Sequence, residues 1–187
     1  MAKVKVLVPL AVGFEEIEAV AIIDVMRRAG ISVVVSAVKE ELIVQGANGI
    51  IIKADNHISQ VDVDSLDMVV LPGGWGGTDI LAVDETVQNI LKTMNAQNKL
   101  IGAICAAPFA LHSAGVLSQN YTCYPSVEEK IRTQGYTQDS KVVEDGNILT
   151  SRGPGTALCF GLAIVRKLCG EEIFLQLKAG LLADYCQ

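Results

Sequence analysis

The chain has 187 residues, half of them hydrophobic and only 5% aromatic, with a formal net charge of −6. That length suits one domain with a large aliphatic core, of the kind a parallel α/β sheet buries on both faces. An acidic balance (pI near 4.9) without any Lys/Arg run longer than two argues against nucleic acid or an anionic membrane as the main partner, because such partners are held by basic patches.

The chain opens directly into a strand pattern, Met1-Ala-Lys-Val-Lys-Val, with no secretory-signal organisation. It contains no run of about twenty apolar residues that would span a bilayer. Five cysteines, at 105, 123, 159, 169 and 186, form neither Cys-x-x-Cys nor zinc-finger spacing. They predict an intracellular, cytoplasmic chain with reduced thiols and no metal site.

Lys3 to Leu10 predicts a first strand. Gly13 and Glu15-Glu-Ile-Glu18 then lead into a helix reaching about Ala29, acidic at its start and closed by Arg27-Arg28 before Gly30. On that helix Ile17, Val20, Ala21, Asp24, Val25 and Arg28 share a face. Ile31 to Ala37 completes a βαβ unit with a right-handed crossover. Leu42-Ile-Val44 and Gly49 to Ile52 flank an Asn48-Gly49 hairpin turn. Asp55 to Asp67 is polar and uninformative. Met68 to Leu71 is a short buried strand that ends at Pro72-Gly-Gly-Trp-Gly-Gly77, followed by helical segments to about Asn95. Leu100 to Ile104 is a buried strand running into Cys105, with a helix through Phe109 to His112 that closes at Gly115 to Leu117. Tyr121 to Tyr124 predicts a strand and Glu128 to Gln134 a helix. Val142 to Thr150 predicts two strands around an Asp145-Gly-Asn turn. Ala157 to Leu168 is an apolar helix, and after Gly170 a last helix runs from Glu171 to about Ala183. This alternation describes one domain over 1–187, a doubly wound, mostly parallel sheet with helices on both faces.

In such sheets, sites form beyond the carboxyl ends of the strands. A cysteine on a sharp strand-to-helix turn points out of the sheet, and the free amides of the following helix favour its thiolate. Cys105 therefore reads as a nucleophile, or as one of the many structural cysteines buried in cores. The Gly73-Gly74 turn can bring amides, with that of Ala106, close to an oxyanion, or can simply make a tight turn. Glu18 can reach a neighbouring strand end. Ionised it would raise the thiol pKa; protonated it would donate to the thiolate and lower it. It is equally readable as a solvated residue of a helix start. His57 and His112 offer no recognisable Cys–His pair. Arg152, before Gly153-Pro-Gly155, can line the site or lie on the surface at a helix start.

Five ordered segments carry a resemblance: Glu15-Glu-Ile-Glu18, Asp24 to Gly30, Val69-Val-Leu-Pro-Gly-Gly74, Ala103-Ile-Cys-Ala-Ala-Pro108 and Leu149 to Thr156. Together they resemble the ThiJ/PfpI superfamily, and within it the branch of the Parkinsonism-associated deglycase. The resemblance implies a flavodoxin-like three-layer sandwich and a homodimer with the first helix at its interface. It implies that Cys105 is an oxidation-sensitive nucleophile and Glu18 its protonated partner, with Gly73, Gly74 and Ala106 supplying backbone groups. Glu16, Arg28, Asn48 and Arg152 are further candidate lining residues. Tyr124 stands before Pro125 where the family carries His, and a tyrosine hydroxyl is a poor base near neutral pH. Ala106 stands where the peptidase branch carries His, which weighs against a protease.

The expected activity is cofactor-independent, cysteine-dependent conversion of methylglyoxal, glyoxal or early glycation adducts, as a lyase or hydrolase with an oxidative-stress role. The alternative is a redox-sensing chaperone whose cysteine oxidises to sulfinate with little turnover. An amidotransferase-like hydrolase is the weaker third reading, since its Cys-His-Glu set is missing.

Overall fold

A computed structural model describes residues 4 to 186. Lys3, placed by sequence in the first strand, lies outside them. The first strand, β1, is Lys5–Leu10, and α1 follows at Glu16–Arg28. Then come β2 (Ser32–Ala37), β3 (Ile43–Gln45), β4 (Ile51–Lys53), β5 (Asn56–His57) and β6 (Met68–Leu71). Next are α2 (Trp75–Val83), α3 (Glu85–Ala96), β7 (Leu100–Ile104), α4 (Pro108–Ser113) and α5 (Glu128–Ile131). The chain ends with β8 (Val142–Asp145), β9 (Ile148–Ser151), α6 (Ala157–Cys169) and α7 (Glu171–Gly180).

Seven strands make one sheet in the order β5-β2-β1-β6-β7-β9-β8, parallel except for the β8–β9 hairpin at one edge. The strands β1, β6 and β7 are Val/Ile/Leu-rich and buried on both faces, as a sheet covered by two helix layers requires. One core, on the α1–α6 side, includes Val6, Val8, Met26 and Phe160. The other, on the α2–α3–α4 side, includes Leu7, Leu71, Leu91 and Leu111. The flavodoxin-like sandwich expected from the sequence is thus the observed fold. Order matters for function, because the chain leaves β1 for β2 on one side and returns to β6 on the other. The carboxyl ends of β1, β6 and β7 therefore open onto a common crevice at the reversal.

The α1 face read from the sequence is mainly the outward one. Ile17 and Val20 are 60% and 49% exposed and Asp24 and Arg28 pair in solvent, whereas Ala19, Ile22, Val25 and Met26 face the core. The small β3–β4 hairpin forms its own antiparallel pair around Asn48-Gly49, as expected. β5 escaped the sequence reading because two residues carry no periodicity; its register with Ser36 and Ala37 defines it.

Other expectations are corrected. Tyr121 to Tyr124 is not a strand: only an isolated Tyr121–Tyr136 bridge forms, and the Thr122 amide binds the Thr150 hydroxyl instead of a ladder. α5 is one turn, ending before Arg132, whose backbone is extended. The thiols are not all reduced, since Cys159 and Cys186 form a disulfide across 27 positions. A loop of that length restricts the unfolded chain by roughly 3 to 4 kcal/mol. Among the described residues no helix is long and apolar enough to cross a membrane.

Candidate active site

Cys105 follows β7 and takes a backbone φ of 64°, in the left-handed region that costs an L-residue about 1 to 3 kcal/mol. Neighbours hold it there. Its N–H donates to the Ser151 carbonyl at 3.0 Å, extending the β7–β9 pairing one residue past the strand, and its carbonyl accepts from the Tyr124 N–H at 2.9 Å. The residue is 8% exposed. The turn therefore places the side chain at the crevice, as the elbow reading predicts.

Glu18 reaches it from the first turn of α1. Glu15 caps that helix, its carboxylate accepting from the Glu18 N–H at 2.8 Å. Glu18 is fully buried. Its Oε2 accepts the Gly73 N–H at 2.8 Å, and its Oε1 is buried without a hydrogen-bond acceptor or donor in bonding geometry. The polar group beside the carboxyl is the Cys105 thiol. Burial pushes the Glu18 carboxyl up to about 7, against the lowering pull of the Cys105 and Gly73 hydrogen bonds. Two positions earlier, Glu16 goes the other way: burial would raise it, but the side-chain and backbone N–H groups of Asn48, with that of Ile50, leave it lowered. Neighbouring carboxylates on one helix thus receive opposite protonation tendencies from their surroundings.

The Cys105 thiol is pushed up by burial first, then by the charge and hydrogen bond of Glu18; the amides of Gly74 and Ala106 pull it down. A free helix terminus alone would predict the reverse direction, and α4 begins only at Pro108, after two intervening alanines. Thiol and carboxyl are one coupled pair. Burial resists two charges there, so the physically favoured ionisation leaves one proton shared between them.

Gly73 and Gly74 make this proximity sterically feasible. A Cβ on Gly73 would lie 2.6 Å from the Cys105 Cβ and 2.7 Å from Glu18 Oε2, and one on Gly74 (φ 86°) would lie 2.4 Å from the Gly13 carbonyl. The Gly73 carbonyl accepts from the Glu15 N–H at 2.9 Å, fastening the β6 turn to the start of α1. The two glycines divide the work: the Gly73 amide serves Glu18, and the Gly74 amide, with that of Ala106, faces the sulfur.

The remaining candidates fall elsewhere. Glu16 and Asn48 are brought together, but to pin the β3–β4 hairpin against α1. Arg28 pairs with Asp24 at 2.7 Å on the exposed face of α1. Tyr124 is half-exposed, with its ring against Gly153, and together with Arg152 and Pro154 it lines a shallow cavity of about 190 Å³ beside the Cys105 turn. Arg152 Nε is buried without a partner. His57 caps a short turn through Ser59, and His112 is exposed on α4. Sequence reasoning missed Trp75, the first residue of α2, which stacks edge-on against Phe109 and carries Lys130 Nζ 4.2 Å above its ring. Its position directly after Gly73-Gly74 was the available signal. A larger cavity of about 420 Å³ lies by Leu10, Lys39 and Ile43 but contains no nucleophile. Among the described residues no group of three or more His, Cys, Asp or Glu side chains is placed to hold a metal.

Comparison with known proteins places this arrangement. Residues 4–167 match the DJ-1/PfpI family model. Protein dj-1beta of Drosophila melanogaster is 41% identical over 181 residues, spanning 96% of this chain and 97% of that protein, and its crystal structure superposes with a TM-score of 0.93 at 40% identity, over 96% of this chain and 98% of that one. Toxoplasma gondii DJ-1, solved in an oxidised form, superposes with a TM-score of 0.92 at 39% identity, over 96% of this chain and 98% of that one. A Caenorhabditis elegans relative named glutathione-independent glyoxalase DJR-1.2 is 37% identical over 159 residues, 84% of each chain.

Proposed function

This chain belongs to the DJ-1/PfpI family, and on that premise we propose that it is a cysteine-dependent glyoxalase that converts methylglyoxal or glyoxal to the hydroxy acid without an added cofactor, and extends to early glycation adducts. The observation that carries this reading is the convergence of Cys105, a fully buried Glu18 and the Gly74 and Ala106 amides in one crevice. The relative named a glutathione-independent glyoxalase supports it.

In this reading the Cys105 thiolate attacks the aldehyde carbon, and the carbonyl π pair moves onto oxygen. The Gly74 and Ala106 amides act on the sulfur, and the oxyanion forms on the carbon that bonds to it, where the same amides can receive it. Glu18 supplies the proton that completes the hemithioacetal. Its carboxylate then takes the proton from the former aldehyde carbon, and the electron pair shifts to give an enediol as the neighbouring oxygen gains a proton. Glu18 returns its proton to the neighbouring carbon while the first carbon's hydroxyl gives up its own, leaving a thioester on Cys105. Water cleaves the thioester, releasing the hydroxy acid and regenerating the thiol. The net change is addition of one water, so no external redox partner is required. Methylglyoxal incubated with wild type and Cys105→Ala, followed by D- and L-lactate assay, tests the reading: lactate forms with wild type only, and equal turnover by both overturns it.

A second reading is favoured by a specific observation, the oxidised form of the Toxoplasma relative. Cys105 oxidises to sulfinate, which the same two amides and a protonated Glu18 stabilise, and the chain acts as a sensor or chaperone with little turnover. Mild peroxide followed by intact mass would add two oxygens at Cys105; modification confined to the half-exposed Cys169 overturns it. In either reading the chain works as a homodimer. Ile17 and Val20 on α1, with Ile50 and Ile51 on the hairpin, are 49% to 60% exposed, an apolar area fit for a second copy.

A further inference from the structure

The far end of the molecule carries redox chemistry of its own. Cys159 sits in the first turn of α6 and is 4% exposed, while Cys186 is fully buried, and a disulfide joins them. A cavity of about 220 Å³ lies beside Cys159. It is lined by Asp139, Ser140, Lys141, Val142 and Cys159; Cys186 does not line it.

Lys141 ties this cavity to both the tail and the active-site strand. Its Nζ donates to the Tyr185 carbonyl and lies 5.3 Å from the Tyr185 ring centroid. Its carbonyl accepts from the Ser151 hydroxyl at 2.7 Å, and the Ser151 carbonyl is the group that receives the Cys105 N–H. Among the described residues beyond α7, Leu182 is 82% exposed, Tyr185 is half-exposed, and only Ala183 and Cys186 are buried.

We propose that the Cys159–Cys186 disulfide is a thiol-exchange site for small thiols, entered through the 139–142 cavity, with Cys159 the sulfur attacked and Cys186 the leaving group. Exchange requires a path along which a thiolate reaches one sulfur, and the cavity supplies it to Cys159 alone. On its wall the Lys141 ammonium draws an anionic thiol and offsets the Asp139 carboxylate. In the first step a small thiolate bonds to Cys159 Sγ, the protein S–S bond breaks, and Cys186 leaves as a thiolate that takes a proton from water. In the second step another small thiolate attacks the outer sulfur of the mixed disulfide and releases a small-molecule disulfide and the Cys159 thiolate. Two small thiols are oxidised and the protein gains two thiols. Residues 181–186 are thereby freed from α6, retaining the Lys141 tie.

The test uses the full chain in native buffer with reduced glutathione as the probe. After acid quench, adducts are mapped by peptide mass, and thiols are counted by alkylation under denaturing conditions. The expected results are a rise from three to five alkylatable thiols and a transient glutathione adduct on Cys159. A Cys186→Ser chain given oxidised glutathione should accumulate one adduct on Cys159. A disulfide that opens only after denaturant is added, or an adduct found on Cys186 in the wild-type chain, overturns the proposal.

Discussion

Two buried thiols in this chain each have a glutamate beside them, and the difference between the two pairs separates the proposed reactive site from a packed one. Cys123 Sγ lies 3.9 Å from Glu128 Oε2, is fully buried, and is pushed up to about 12 by burial first and then by Glu128. Cys105 has Glu18, also a carboxyl, also close. Yet Glu18 is buried completely and Glu128 only partly, and burial holds the Glu18 carboxyl up to about 7. Cys105 also takes the strained φ that turns its side chain toward the crevice, and it receives two amides. A carboxylate near a thiol suppresses its ionisation; a carboxyl that keeps its proton permits it. What makes Glu18 different is the apolar packing of α1 against the sheet ends, not its identity.

The comparison breaks most plainly at the sulfurs. Cys105→Ala is expected to abolish lactate formation, while Cys123→Ala retains turnover within about threefold of wild type and loses only stability, on the order of 1 kcal/mol for a small cavity. Comparable losses in the two variants, read by lactate assay beside thermal melts, would erase the distinction. The next largest effect is expected at Gly73→Ala. Its Cβ would meet both Cys105 and Glu18 below 3 Å, so the pair must separate. Overpacking of this kind costs about 1 to 3 kcal/mol, and Cys105 alkylation should slow by more than that stability loss explains.

A pH series sharpens what sets Glu18 apart. Glu18 is raised in the folded chain from 4.5 to about 7. The stability it contributes is present in full below about 4.5 and is lost as pH rises toward 7, an order of 3 kcal/mol. Denaturant midpoints of wild type should fall relative to those of Glu18→Gln across that window. Parallel curves for the two chains would remove the special status of Glu18. The smallest effect is expected at Tyr124→Phe. The Tyr124 backbone N–H, which the substitution keeps, makes the contact with Cys105, and its ring packs on Gly153. Steady-state lactate production should change by less than about threefold, since the hydroxyl is a weak base at neutral pH; a hundredfold loss would make Tyr124 a proton-transfer group.

Much of the site was readable because its parts obey local rules. An apolar β-branched run meeting a cysteine and then small residues specifies an elbow, and a glycine pair after a short strand specifies a close approach. Alternating elements specify the doubly wound sheet that brings such ends together. What could not be read depends on distant contacts. The assignment of the Gly73 amide to Glu18 and the Gly74 amide to the sulfur needs the packed positions of β6 and α1. The upward push on the Cys105 thiol comes from burial that no spacing encodes. Tyr121 to Tyr124 has the composition of a strand, but its amides find Thr150 and Cys105 instead of a neighbouring ladder. The Cys159–Cys186 pairing depends on α7 folding back along α6, which an odd cysteine count does not disclose.

The proposed chemistry requires that, once the Cys105–Glu18 pair loses its first proton, the remaining one resides on Glu18. The rate of Cys105 alkylation by iodoacetamide at pH 7, compared between wild type and Glu18→Ala, tests it directly. Loss of a hydrogen bond to a buried charge, about 1.5 to 3 kcal/mol, should slow alkylation roughly ten- to a hundredfold in Glu18→Ala. Faster alkylation in Glu18→Ala would mean that Glu18 is the ionised member and Cys105 holds the proton, contradicting the account.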